Sequence, residues 1–305
     1  MLHRRRSLRP ALFAAGGVAA VGLGFLVVPL ASASTSPSAP VATTSAETPS
    51  TQADSTGDHS NAKPTIVLVH GAWGDASGWS KVVKELQADG YTVAAPPDQL
   101  RGLSSDAAYL ADYLKTITGP IVLVGHSYGG AVITDAATGN PNVKALAYIA
   151  AFAPDAGESA NDLAAKFPGS HITDDPTAQI PTALNAVPFT QAGGGTGVDL
   201  YIKPDKFNDL FLSNRVSTRT AAELAAAQRP IAPQAVGEPS GTPAWKTVPS
   251  WYLVATDDNL IPPATERFMA QRAHAHTVEV NAPHAAMITN PDAVTSLILD
   301  AAQAG

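Results

Sequence analysis

"IVLVGHSYGG", Ile121 to Gly130, sets four apolar residues before a serine with a glycine two positions away on each side: Gly125, Ser127 and Gly129. As local structure alone, this is a strand ending in a glycine-rich turn. As chemistry, it is a nucleophile elbow. There a serine sits on a strained strand-to-helix turn, and the flanking glycines relieve crowding. The glycine–x–serine–x–glycine pattern is weak by itself and needs its context. An apolar strand precedes it, and "AVITDAATG", which reads as a helix ending at Gly139, follows it.

The neighbouring segments extend that context. "TIVLVH" (65–70), "YTVAAP" (91–96), "VKALAYIAAF" (143–152), "SWYLVAT" (250–256) and "TVEVN" (277–281) read as further strands, making six with 121–125. Helical spacing separates them: Trp79, Val82, Val83 and Leu86 before Gly90, then a helix from Ser104 through Leu114. "ATERFMAQRAH" and "NPDAVTSLILDAAQ" read as the last two helices. Alternating strands and helices, with strands apolar throughout, predict an α/β fold. Its mostly parallel six-stranded sheet is flanked by helices on both faces. Ligands of such sheets bind beyond the carboxyl ends of the strands, where Ser127 falls. Residues 154–245 break the rhythm with many prolines and the Gly193–Gly197 patch. "DKFNDLFLS" and "TAAELAAAQ" look helical there, so a mainly helical cap insertion over the site is expected.

A serine hydroxyl needs a base to take its proton, a third group to orient that base, and donors for the oxyanion. In the elbow arrangement the acid and then the histidine follow the serine in the chain. His284 in "NAPHAAM" follows the sixth strand and is the candidate base. His70 and His126 precede the candidate acids at 257 and 258, which is the wrong order, His171 lies in the cap, and His274 and His276 lie at a strand's amino end. Asp258 in "VATDDNLIPP" is the favoured acid, with Asp257 as the alternative. The oxyanion donors expected are the backbone N–H groups of Tyr128, after the nucleophile, and of Ala72 in "HGAW", with Trp73 as the alternative.

These residues carry a resemblance. "VLVHGAW" (67–73) with Gly78–Trp79, "GHSYGG" (125–130), "DNLIPP" (258–263) with Arg267–Met269, and "PHAAM" (283–287) are similar to the α/β-hydrolase superfamily. Within it, residues 63–304 resemble the branch of plant methyl-salicylate-type esterases and hydroxynitrile lyases, with bacterial esterase-like members. The resemblance implies Ser127 as nucleophile, Asp258 as acid, His284 as base, and Ala72 and Tyr128 as oxyanion donors. It implies no cofactor and no metal. Hydroxynitrile lyases of this kind place a lysine after the base histidine and a threonine after the first motif's histidine. Here those positions are Ala285 and Gly71, which favours a serine carboxylesterase acting on a small-molecule ester. The alternatives are lyase chemistry on the same scaffold and a catalytically idle, ligand-binding hydrolase fold.

Composition and the first residues set the surroundings. The 305-residue chain carries a net charge of −7 and has no cysteine, which excludes disulfides, thiolate metal sites and a cysteine nucleophile. The body of the chain has no basic patch, so no nucleic-acid partner is expected. Arg4, Arg5, Arg6 and Arg9 precede the uncharged run Ala11–Leu30 and "ASA" at 31–33. That order is a secretory signal, and Arg5-Arg6-Ser7-Leu8 resembles part of a twin-arginine signal. Residues 1–33 are expected to be cleaved, leaving no stable membrane anchor and an extracellular protein. An uncleaved anchor is the alternative. Residues 34–62, rich in Ser, Thr, Pro and Ala, read as a disordered spacer.

Overall fold

The computed structural model describes residues 63–304. The expected signal and spacer lie outside the described residues. The chain runs β1 (Thr65–Val69), α1 (Ser80–Ala88), β2 (Val93–Ala94), α2 (Leu103–Leu114), β3 (Ile121–Ser127), α3 (Tyr128–Ala136) and β4 (Val143–Ala151). An insertion follows: α4 (Ala160–Ala164), β5 (Leu184–Thr190), β6 (Thr196–Ile202), α5 (Pro204–Leu212), α6 (Thr218–Ala227) and α7 (Pro233–Gly237). The chain returns with β7 (Ser250–Ala255), α8 (Pro263–Arg272), β8 (His276–Val280), α9 (Ala286–Thr289) and α10 (Pro291–Gln303).

Six strands form one sheet in the order β2-β1-β3-β4-β7-β8, and every neighbouring pair is parallel. All residues of β3 and β7 are buried. Successive side chains leave opposite faces of a strand, so both faces of the central sheet are covered. That is why these strands read as continuous apolar runs rather than alternating ones. α10 buries Val294, Leu297, Ile298 and Ala301, spaced along one helical stripe. α1 packs on α10 and α2 on α3. Proline opens α5, α7, α8 and α10, where its missing N–H removes no helical hydrogen bond. Among the described residues, no helix is long and apolar enough to cross a membrane.

The two edges are less regular than the sequence pattern suggests. β2 pairs through only Val93 and Ala94. β8 is largely solvent-exposed, and Glu279 on it pairs with Arg267 of α8 at 2.7 Å. A charged edge discourages pairing with another sheet.

The insertion contains four short helices and an antiparallel hairpin that sequence reading did not single out. β5 pairs with β6 from Leu184↔Ile202 to Thr190↔Thr196. Pro188 and the glycine run made this stretch read as loop. Proline is tolerated because β5 has a free edge. The glycines form the turn, with Gly194 and Gly195 at φ 85° and 92°, a region costly for residues with a Cβ.

Candidate active site

Ser127 ends β3 and immediately precedes α3, with φ 54° and ψ −126°. A non-glycine residue held there stores roughly 1–3 kcal/mol of strain, which the surroundings must enforce. They do so by backbone crowding. A Cβ on Gly129 would lie 2.7 Å from the His70 carbonyl oxygen, and one on Gly71 would lie 2.6 Å from the Ser127 Cβ. Only glycine lets the β1 loop and α3 meet at the serine. The Phe152 N–H donates to the Ser127 carbonyl at 3.0 Å, and the β3–β4 register shifts between His126 and Ser127. The strand is thereby turned into the elbow.

His284 follows β8, and Asp258 follows β7. The His284 Nδ1–H donates to Asp258 Oδ2 at 2.6 Å, and both side chains are 0% exposed. The Asp258 Oδ1 accepts the N–H groups of Leu260 and Ile261 at 2.6 and 2.8 Å. Three donors therefore hold one carboxylate. Asp257 faces the other way: its carboxylate is 43% exposed and pairs with Arg215 at 2.7 Å. Of the two candidate acids, only Asp258 meets the histidine. With Nδ1 donating, the proton-free ring nitrogen of His284 is Nε2. It is buried and has no hydrogen-bond partner among the described residues.

His126, next to Ser127, ties the elbow to this pair. Its Nε2–H donates to the His284 carbonyl at 2.9 Å, and the two rings are 4.7 Å apart. Burial, then the neighbouring His284, hold its basicity well below the usual histidine range, so His126 is a neutral strut. Phe211 of α5 presses edge-on against His284 at 5.4 Å. Of the cap aromatics, Phe211 and Phe207 pack together beside the histidine at 5.1 Å, while Phe189 is exposed on the hairpin.

The "HGAW" loop lies against the elbow. The His70 Nδ1–H donates to the Gly71 carbonyl at 2.9 Å, and its Nε2 accepts the Asp98 N–H at 3.0 Å. Burial lowers the basicity of His70, which suits this neutral tautomer. In a trans peptide, C=O and N–H point in opposite directions. Tying the Gly71 carbonyl to His70 therefore turns the Ala72 N–H away from His70. The alternative donor is occupied: the Trp73 N–H donates to the Arg229 carbonyl at 2.9 Å. The Trp73 indole N–H donates to the Leu200 carbonyl, also at 2.9 Å. Both acceptors belong to the cap. Tyr128 is the first residue of α3, where backbone N–H groups lack intrahelical partners and the helix dipole favours negative charge.

Beneath this loop lies a buried acid pair that sequence reading missed. The Tyr128 hydroxyl donates to Asp106 Oδ2 at 2.9 Å, and Asp98, also buried, has an Oδ2 with no donor among the described residues. Burial, then the Asp106 charge, push the Asp98 carboxyl well above its ordinary range. No local signal separates these acids from surface ones, because their burial is a tertiary property. Among the described residues, no group of three or more His, Cys, Asp or Glu is placed to hold a metal ion.

With this geometry in view, residues 66–297 match the family model described as alpha/beta hydrolase family. The chain is 28% identical over 259 residues to a pyrethroid hydrolase of Sphingobium wenxiniae, covering 78% of this chain and 88% of that one. It is 26% identical over 257 residues to the putative methylesterase 11, chloroplastic, of Arabidopsis thaliana, covering 78% and 64%. The crystal structure of polyneuridine aldehyde esterase superposes with a TM-score of 0.65 at 21% identity, covering 78% of this chain and 99% of that one. The chain belongs to the alpha/beta hydrolase family, and its relatives include a plant methylesterase and a bacterial pyrethroid hydrolase.

Proposed function

We propose that this carboxylesterase-type hydrolase cleaves small carboxylic esters through an acyl-enzyme on Ser127. The Ser127 Oγ attacks the ester carbonyl carbon while His284 Nε2 takes its proton. Asp258 holds the imidazole by Nδ1 and stabilises the imidazolium that forms. The developing oxyanion accepts the N–H groups of Tyr128 and Ala72. His284 then protonates the departing alkoxide, and the alcohol leaves. Water, deprotonated by His284, attacks the acyl-enzyme, and the acid is released with the serine restored. In a resting hydrolase the serine–histidine hydrogen bond is often long and closes on substrate.

One observation carries the reading: a fully buried Asp258–His284 pair leaves Nε2 without a partner, and His126, the residue before the strained serine, is bonded to the His284 carbonyl. The lyase alternative has no comparable support, since Gly71 and Ala285 stand where lyase residues would be. The test compares wild type with Ser127→Ala on p-nitrophenyl esters of increasing acyl length. The variant should lose activity by about 10⁶-fold. Equal turnover by both proteins would sink the reading. Failure of Ser127 to take up an organophosphonate would point instead to an idle, ligand-binding fold. Export through residues 1–33 is part of the same proposal, supported by the order of basic, apolar and small residues. Protein recovered from the medium should begin near residue 34.

A further inference from the structure

Behind the acid sits a second carboxyl group that the proposed mechanism does not use. Glu266 lies in the first turn of α8 and is 0% exposed. Its Oε2 accepts the Ala255 N–H at 3.0 Å. Its Oε1 is buried with no donor among the described residues. The two acids meet at Ala255: Glu266 accepts its N–H, and the Asp258 N–H donates to its carbonyl at 3.2 Å.

Two neighbouring carboxyl groups that are both buried cannot both hold their charge cheaply, so one keeps a proton. The donor distribution identifies which. Asp258 receives three donors, from Leu260, Ile261 and His284. Glu266 receives one, and its unpaired oxygen is where an O–H would sit. The other groups facing this pair do not change the assignment. Tyr252 of β7 donates its hydroxyl to the Ala151 carbonyl. Arg267, next along α8, turns outward to Glu279 of β8 at 2.7–2.8 Å. Burial, then Asp258, push the Glu266 carboxyl well above its ordinary range, in agreement with the geometry.

We infer that Glu266 is a neutral acid donating a hydrogen bond to Asp258, and so a positioning residue that fixes the carboxylate orienting His284. The inference rests on the reading of Asp258 and His284 as acid and base. A fourth donor on Asp258 draws off part of its negative charge. The alignment of the carboxylate governs the rate, and the shared charge governs where the pH profile of hydrolysis lies. Glu266→Met removes the donor at similar volume. Glu266→Gln keeps an N–H donor and never ionises.

The experiment measures kcat, KM and the pH profile of ester hydrolysis for wild type and both variants, with thermal unfolding of each. Glu266→Met should lower kcat by roughly 10–100-fold, the scale of one hydrogen bond to a charged group. KM should change little, and the acid limb of kcat/KM should move to higher pH. Glu266→Gln should restore kcat and the wild-type limb. Infrared difference spectra of wild type against Glu266→Gln at neutral pH should show the carbonyl stretch of a neutral carboxylic acid. A folded Glu266→Met with unchanged kcat and pH limb overturns the inference, as does the absence of that infrared band. So does a Glu266→Gln variant as impaired as Glu266→Met. If Glu266→Met fails to fold, the Gln variant and the infrared band decide. Ser127→Ala and His284→Ala are measured alongside. If they retain activity, the acid–base reading itself fails. If they are inactive while Glu266→Met is unimpaired, only the positioning role fails.

Discussion

Two parts of the site meet at Ser127 and are held by different means. The elbow is secured from within the sheet layer. Glycine close approaches to His70 and Ser127 fix its backbone, and Phe152 binds the serine carbonyl. The oxyanion loop is secured from outside that layer. Trp73, at φ 59°, is held by the Arg229 and Leu200 carbonyls of the cap. On the proposed mechanism, Ser127 should therefore be insensitive to the cap, whereas oxyanion stabilisation should depend on it.

The largest effect expected within the sheet-held half is at the acid. Asp258→Asn should cut kcat by about 10⁴-fold, the scale of the equivalent change in a serine protease. Asp257→Asn, which loses only a half-exposed pair with Arg215, should stay within about twofold, since surface ion pairs contribute little. Steady-state kinetics on one ester separates the two. Comparable losses would mean that the buried pair is not the acting one.

The cap-held half is probed by Trp73→Phe, which keeps an aromatic ring but deletes the donor to Leu200. The Leu200 carbonyl then keeps only the Ile231 N–H at 3.2 Å, a loss of about 0.5–1.5 kcal/mol. kcat should fall roughly tenfold by the same scale, while Ser127 remains open to organophosphonate. A folded variant with unchanged kcat would show that the sheet layer alone positions the loop.

The smallest effect lies beneath that loop and appears in stability. Because the Asp98 carboxyl is raised well above its ordinary 3.8, the folded protein holds a proton that the unfolded chain releases. This group's contribution is fully present below about pH 4 and is lost as pH rises toward the folded value, by ~1.4 kcal/mol per unit at most. Asp98→Asn should remove that slope. The difference between variant and wild type in urea midpoint should shift in the variant's favour from pH 4 to pH 8. A difference that stays constant with pH would mean that Asp98 is not held neutral.

Much of this molecule was legible along the chain. Continuous apolar runs alternating with helical spacing mark a covered parallel sheet, and all six strands are found, with β2 shortened. The elbow was legible because its requirement is local: a strained turn leaves room only for glycine around the serine. The order serine, acid, histidine also pointed to His284. The β5–β6 hairpin was not legible, because Pro188 and the glycine run carry the same signature as a loop.

The remaining decisions were three-dimensional. Asp257 and Asp258 are adjacent and chemically identical. Only the fold of the β7 turn directs one to His284 and the other to Arg215. The Trp73 backbone N–H is taken up by the Arg229 carbonyl, which arrives from the cap. Asp98 and Glu266 look like ordinary surface acids until packing removes their water and sets each against another carboxyl group. Local backbone requirements are written in neighbouring residues. Which charge is buried, and which partner faces it, depends on segments far apart in the chain.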